Sequence, residues 1–167
     1  MPDVIRLILD DHETFRRQFA ELDKLRDDPK AAGVLWAGLA ALLEMHASAE
    51  EEHFYPALLQ NVEDSEEETR DAISDHDEIR DGIRKTEGAE VGSDEWWQGV
   101  HDARDANDEH LGEEERDDLP DFLRAVSPEL RTELGARFQS FKDAHANSKG
   151  LSGDNKDADS YVAEHSG

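Results

Sequence analysis

Residues able to do chemistry recur in this chain at a fixed offset of 64 positions. His12 maps onto His76, His46 onto His110, Glu50 onto Glu114 and Pro56 onto Pro120. Their neighbours agree. Asp11-His12-Glu13 stands beside Asp75-His76-Asp77, and His46-x-x-x-Glu50-Glu51 beside His110-x-x-x-Glu114-Glu115. Such a repeat predicts two similar helix pairs related by a pseudo-twofold axis, each presenting its histidines and glutamate at the same depth.

Apolar periodicity supports helices throughout. Between about residues 3 and 26, Ile5, Ile8, His12, Phe15, Phe19 and Leu22 recur in steps of three and four, and Asp27-Asp28-Pro29 closes the segment. A second helix runs from about 30 to 60, with Leu35, Leu39, Leu42, His46, Glu50 and His53 on one stripe and a kink expected at Pro56. The third, about 66 to 87, carries Ile73, His76, Ile79 and Ile83. After a loop ending in Ser93, a predicted N-cap, the fourth runs from about 94 to 125 with Trp96, Val100, Ala103, Asn107, His110, Glu114 and Asp117. Ser127-Pro128 opens a fifth helix on Leu130, Leu134, Phe138 and Phe141, ending near His145. No strand pattern stands out. The expected architecture is all-α, an antiparallel up-down-up-down four-helix bundle with an extra C-terminal helix, over residues 1–147. Gly, Ser, Asp and Asn dominate from 148, so residues 148–167 read as a disordered acidic tail.

The 167 residues suit one domain able to enclose a core. A formal charge of −25 repels nucleic-acid phosphates and anionic lipid, which argues against both as partners. With no cysteine, disulfides and thiolate-held zinc or iron–sulfur sites are excluded. The N-terminus does not read as a signal peptide. No run approaches the roughly 20 consecutive apolar residues of a membrane span. A cytoplasmic protein, a monomer or a weak homodimer, is the expectation.

On a helix, residues i and i+4 share a face, so His46 with Glu50, and His110 with Glu114, each form a two-ligand claw. His12 and His76 lie on the inward stripes of their own helices. One inward histidine is explained by a hydrogen bond in a core. Four histidines with two glutamates are not, because each buried carboxylate without a partner costs several kcal/mol. The six together imply cations. Imidazole and carboxylate without thiolate suit iron and manganese, with zinc possible. Two carboxylates in one cavity can bridge two ions, with two histidines for each and positions left open for dioxygen, peroxide, nitric oxide or a bridging oxygen. His53 and Asp117 follow the glutamates at i+3, while Glu51, Glu115 and Arg80 lie close by. These five are candidates for extra ligands or for groups that orient a ligand from behind. Tyr55 and Trp96 read as packing. A ferritin-like site fails, since its paired Glu-x-x-His occurs once (Glu50, His53) but the second half offers Asn107 before His110. No calcium-loop pattern occurs.

The order His12, His46-x-x-x-Glu50, His76, His110-x-x-x-Glu114 resembles the hemerythrin-like proteins, also called HHE cation-binding domains, over residues ~3 to 125. That resemblance implies a non-haem di-iron centre, oxo- or hydroxo-bridged, with both glutamates bridging the irons and no catalytic residues apart from the ligands. Oxygen-carrying members have another histidine where this chain has Arg80. They also place an aspartate five residues after the fourth-helix histidine, where Glu115 stands. The resemblance therefore points toward members tied to peroxide, nitric oxide and oxidative or nitrosative stress, served by an unidentified redox partner. The alternative within it is a module that senses oxygen or nitric oxide, or stores iron, without turnover.

Overall fold

The computed structural model describes residues 2–167 and contains no strand among them. Four long helices form the bundle: α1 (Val4–Asp23), α2 (Pro29–His53), α4 (Glu66–Glu87) and α5 (Asp94–Glu113). Short helices α3 (Tyr55–Asn61) and α6 (Leu119–Ala125) extend α2 and α5, and α7 (Pro128–Ala144) and α8 (Ala158–His165) complete the chain. Local chemistry sets the ends. Asp3, Asp28, Ser93 and Ser127 each accept a hydrogen bond from a backbone N–H in the first turn behind them, and Pro29 and Pro128 occupy first-turn positions where no donor is needed.

Neighbouring helices run antiparallel. Asp11 of α1 meets His46 of α2 while Phe19 meets Trp36. Across the second pair, Gly82 lies against Ala103 and Gly99 against Thr86. A Cβ on Gly82 would sit 2.6 Å from the Ala103 nitrogen, and one on Gly99 would sit 2.7 Å from the Thr86 Cγ2. Those two glycines bring α4 and α5 into close contact.

The core divides into two apolar layers. Phe15, Phe19, Leu22, Trp36, Leu39 and Trp96 fill one end, and Ile8, Phe54, Leu58, Ile73, Phe122 and Phe138 the other. Between them lies a buried polar layer containing all six repeated histidines and glutamates. On α2 the fully buried stripe is Trp36, Leu39 and Leu43; Leu35 and Leu42 flank it half-buried.

The prolines act where the repeat places them, in different ways. Before Pro56 the helix breaks at Phe54 (φ −109°, ψ −60°) and restarts at Tyr55. Before Pro120, the predicted continuous fourth helix instead opens into a π turn, Glu114–Asp118, in which Leu119 N–H bonds to the Glu114 carbonyl. Both irregularities begin within four residues of a buried glutamate.

The tail corrects the expectation of disorder after residue 148. α8 buries Tyr161 and Val162 against α3 and α4, and the tail is tied down by Lys156 to Glu51, Arg84 to the Gly153 carbonyl and Arg70 to Asp159. Its composition is that of a flexible segment, but two apolar side chains find cover and two ion pairs and a hydrogen bond hold it to the bundle. The stretch Pro29–Asn61 is long and apolar enough to cross a membrane by composition alone. Here it is a core helix whose Glu44, His46 and Glu51 bond across to α1 and α4.

Candidate metal centre

The six repeated residues meet in the polar layer, each at most 3% exposed. One ligand atom from each of His12, His46, Glu50 and Glu114 lies within 4.8 Å of the others, and the same holds for Glu50, His76 and His110. Glu50 belongs to both groups. Its Oε1 stands 3.2 Å from His46 Nε2, 3.3 Å from His76 Nε2 and 3.4 Å from His110 Nε2. Glu114 also reaches both sides, with Oε1 3.0 Å from His12 Nε2 and Oε2 3.5 Å from His110 Nε2.

Three of the four histidines are held from behind through Nδ1. Asp11 Oδ2 lies 2.8 Å from His46, Glu115 Oε2 3.2 Å from His12 and Glu51 Oε2 3.4 Å from His76. Asp75 Oδ2 stands 3.8 Å from His110, too far for a hydrogen bond, so it acts there only as a neighbouring charge. A carboxylate at Nδ1 keeps the proton on that nitrogen and leaves Nε2 free to ligate. These supports obey the repeat: Asp11 and Asp75 are 64 apart, as are Glu51 and Glu115. So are the arginines behind them. Arg16 grips Glu115 at 2.5 Å and Arg80 grips Glu51 at 2.6 Å.

The electrostatics are those of a site made for positive charge. Burial opposes a charge on His46, yet Glu50 and Asp11 outweigh it and raise its pKa to about 10. For His110 burial is outweighed by Glu114 and Glu50, giving about 9. Burial would raise Glu50, but the histidines around it hold its carboxyl well below the usual range. Even so, four inward atoms have no hydrogen-bond partner: His12 Nε2, His46 Nε2, Glu50 Oε2 and Glu114 Oε1. Buried polar atoms are rarely left unpaired. Four of them at one point, all metal-ligating types, fit a centre whose missing partners are metal cations.

The candidate residues around the site separate cleanly. Glu51, Glu115 and Arg80 join the network behind the histidines. His53 does not: at the last residue of α2 it packs edge-on against Phe141, ring centroids 5.6 Å apart. Asp117 does not either. The π turn inserts an extra residue, turning Asp117 outward to pair with Arg116. It lines instead an opening of about 140 Å³ that includes Glu68, Asp71, Asp118 and His110.

Sequence reading missed Asp11, Asp75, Tyr55, Lys142 and Lys156. For the aspartates and Arg16 the 64-residue repeat was a usable signal. Tyr55 had none: the repeat gives Leu119 in its place. The fully buried Tyr55 hydroxyl donates a hydrogen bond to Glu114 Oε2. Burial, reinforced by the Glu114 and Glu50 charges, pushes its pKa well above a phenol's ordinary value, so it stays a donor. Lys142 of α7 pairs with Asp11 at 2.5 Å and Lys156 with Glu51 at 2.9 Å.

Comparison with known proteins agrees with this geometry. A family model described as the hemerythrin HHE cation binding domain matches residues 3–122. No curated protein and no solved structure gives a match. Helices α7 and α8 fall outside the matched segment.

Proposed function

The chain belongs to the hemerythrin HHE cation-binding family, and from that premise we propose that it holds two iron ions and consumes small oxidants, peroxide and nitric oxide. Metal-cation binding is the family's property; the identity and number of the ions, and their reaction, are our reading. What carries it is the meeting of four imidazole Nε2 atoms and two shared carboxylates at one dry point, with unpaired atoms facing inward. His12 and His46 would hold one ion and His76 and His110 the other, with Glu50 and Glu114 between them. When bound, such a pair supplies one-electron redox chemistry and coordination positions for a small ligand.

The chain's own residues do the rest. The carboxylates behind Nδ1 of His12, His46 and His76 keep those imidazoles oriented and basic. The two apolar layers, above all Phe15, Ile79, Phe54 and Ile73, exclude bulk water. The opening of about 140 Å³ lined by His110 has room for a diatomic molecule or peroxide.

The test is metal analysis of protein purified from iron-supplemented cells, followed by peroxide consumption with and without nitric oxide. The expected result is about two irons per chain and turnover that disappears with chelation. Metal at this stoichiometry with reversible spectral change but no turnover would make the protein a binding module. Less than one metal per chain would defeat the reading.

A further inference from the structure

Away from the centre, a cavity of about 620 Å³ lies between α2 and α4 and is roofed by residues 147–154. That is the size of a site for a small organic molecule. The family match ends at residue 122, so the roof belongs to this chain's own extension. Gly33, Ala37 and Ala41 line the cavity from α2 with little bulk. Trp36 and Trp96, 4% and 2% exposed, join Ile83 and Leu151 in making its walls apolar. Both guanidiniums that reach it are already committed. Arg80 is held by Glu44 and Glu51, and Arg84 donates to the Gly153 carbonyl at 2.8 Å, to Asp81 and to Asn155. Glu87 and Asp154 also line the cavity, both exposed, and neither forms an ion pair among the described residues. The cavity thus combines apolar walls with uncompensated negative charge, in a chain whose formal charge is −25.

We propose that this cavity binds a small organic ammonium ion, its apolar body against Trp36, Trp96 and the small face of α2, its charged nitrogen at Glu87 and Asp154. An anion would meet those two carboxylates with no free guanidinium to offset them. A neutral molecule of the same shape would gain the apolar contact and nothing from the carboxylates. Apolar burial alone gives modest affinity, so the charges decide between ligands of equal size. No residue of this site ligates the centre, so ammonium binding stands whether or not the ion reading does.

Calorimetric titration of the full chain with n-octylammonium, n-octanoate and 1-octanol tests it, in about 150 mM salt to screen the overall charge. Octylammonium is expected to saturate one site with a dissociation constant of about 0.1–1 mM. Octanol should bind at least about fivefold more weakly, and octanoate not measurably. Glu87→Gln combined with Asp154→Asn should weaken octylammonium about fivefold and leave octanol unchanged. Ala41→Trp, which fills the cavity, should abolish binding of both, with a thermal melt showing that the variant is folded. The carboxylate variant replaces two exposed side chains, so its result holds even if Ala41→Trp fails to fold. Equal binding of octanol and octylammonium, tighter binding of octanoate, or octylammonium binding unaltered in the carboxylate variant would each overturn the proposal. So would the absence of saturation below about 10 mM.

Discussion

The two halves of the centre share their ligands and differ in what stands behind them. On the His12 side the supporting carboxylate, Glu115, is gripped by Arg16, whose side chain is 50% exposed. On the His76 side Arg80 is 2% exposed and bonds both Glu51 and Glu44, while Lys156 bonds Glu51 from the tail and Tyr161 bonds the Glu51 carbonyl. Identical residues at equivalent positions thus have unequal energetic roles, because the second half is covered and the first is open to water. Duplication copied the ligands and their immediate partners. The unequal cover comes largely from α8 and the connecting tail, which lie beyond the matched family segment.

The most direct way to break the comparison is to remove the buried arginine. Arg80→Met leaves Glu44 and Glu51 buried without their shared cation, a change that costs about 3–5 kcal/mol when one partner of a buried ion pair is deleted. Urea unfolding of the metal-free protein measures it. A loss under about 1 kcal/mol would mean that solvent reaches this network and that the two halves are supported alike.

Removing the tail should have a slightly smaller effect. A chain ending at Lys149 loses the burial of Tyr161 and Val162 and the Lys156 contact to Glu51. Burial of two such side chains contributes about 2–4 kcal/mol as an upper estimate. The same truncation should weaken ion binding on the His76 side before the His12 side, since only Glu51 loses a partner. An unaltered melting temperature would show that α8 is an ornament and not a clamp.

Acidity acts on both halves at once. His46 and His110, at about 10 and 9, are cations at neutral pH in the metal-free chain. Their folded pKa values lie above the unfolded value, so their contribution to stability is complete below about pH 6.5 and is lost as pH rises through 9 to 10. Asp75 and Asp118 act in the same direction: burial raises them to about 7 and 8, and their ionisation disfavours the fold as pH climbs. A ligating imidazole must be neutral, so metal uptake at pH 7 should expel about two protons. Each ion displaces about one of them, so each apparent affinity should rise up to about tenfold per pH unit between pH 7 and 9. Dissociation constants for Zn²⁺ at several pH values, with proton release recorded in weak buffer, check this. A flat profile would mean that both rings are already neutral in the metal-free state.

What the sequence disclosed and what it hid follow from the same physics. The repeat exposed all six inward residues, because apolar stripes and helical spacing leave them no other face. The aspartates and Arg16 behind them repeat equally well, yet in a chain with 43 acidic residues a carboxylate beside a histidine resembles solvated surface. Tyr55 carried no periodic signal, and its chemistry depends on a glutamate 59 residues away. His53 and Asp117 were drawn onto the stripe by counting turns of an uninterrupted helix. The π turn at Glu114–Asp118 rotated Asp117 away, and His53, at the end of α2, packs against Phe141 instead. The tail's cover is a tertiary contact that composition does not encode.

The smallest expected effect is the most discriminating control on the comparison. Arg16→Met is the mirror image of Arg80→Met under the 64-residue repeat, removing the same guanidinium from the same carboxylate partner. Because Arg16 is half exposed, Glu115 can recover water in its place, and exposed pairs contribute about 0–1 kcal/mol. His12 keeps its own contact to Glu115, 3.2 Å away, so ion binding on that side should change by no more than about threefold. Measured together, the two arginine variants compare an exposed guanidinium on one carboxylate with a buried one that bonds two. If Arg16→Met destabilised the protein as much as Arg80→Met, then the repeat and not the surrounding cover would govern the energetics of the centre.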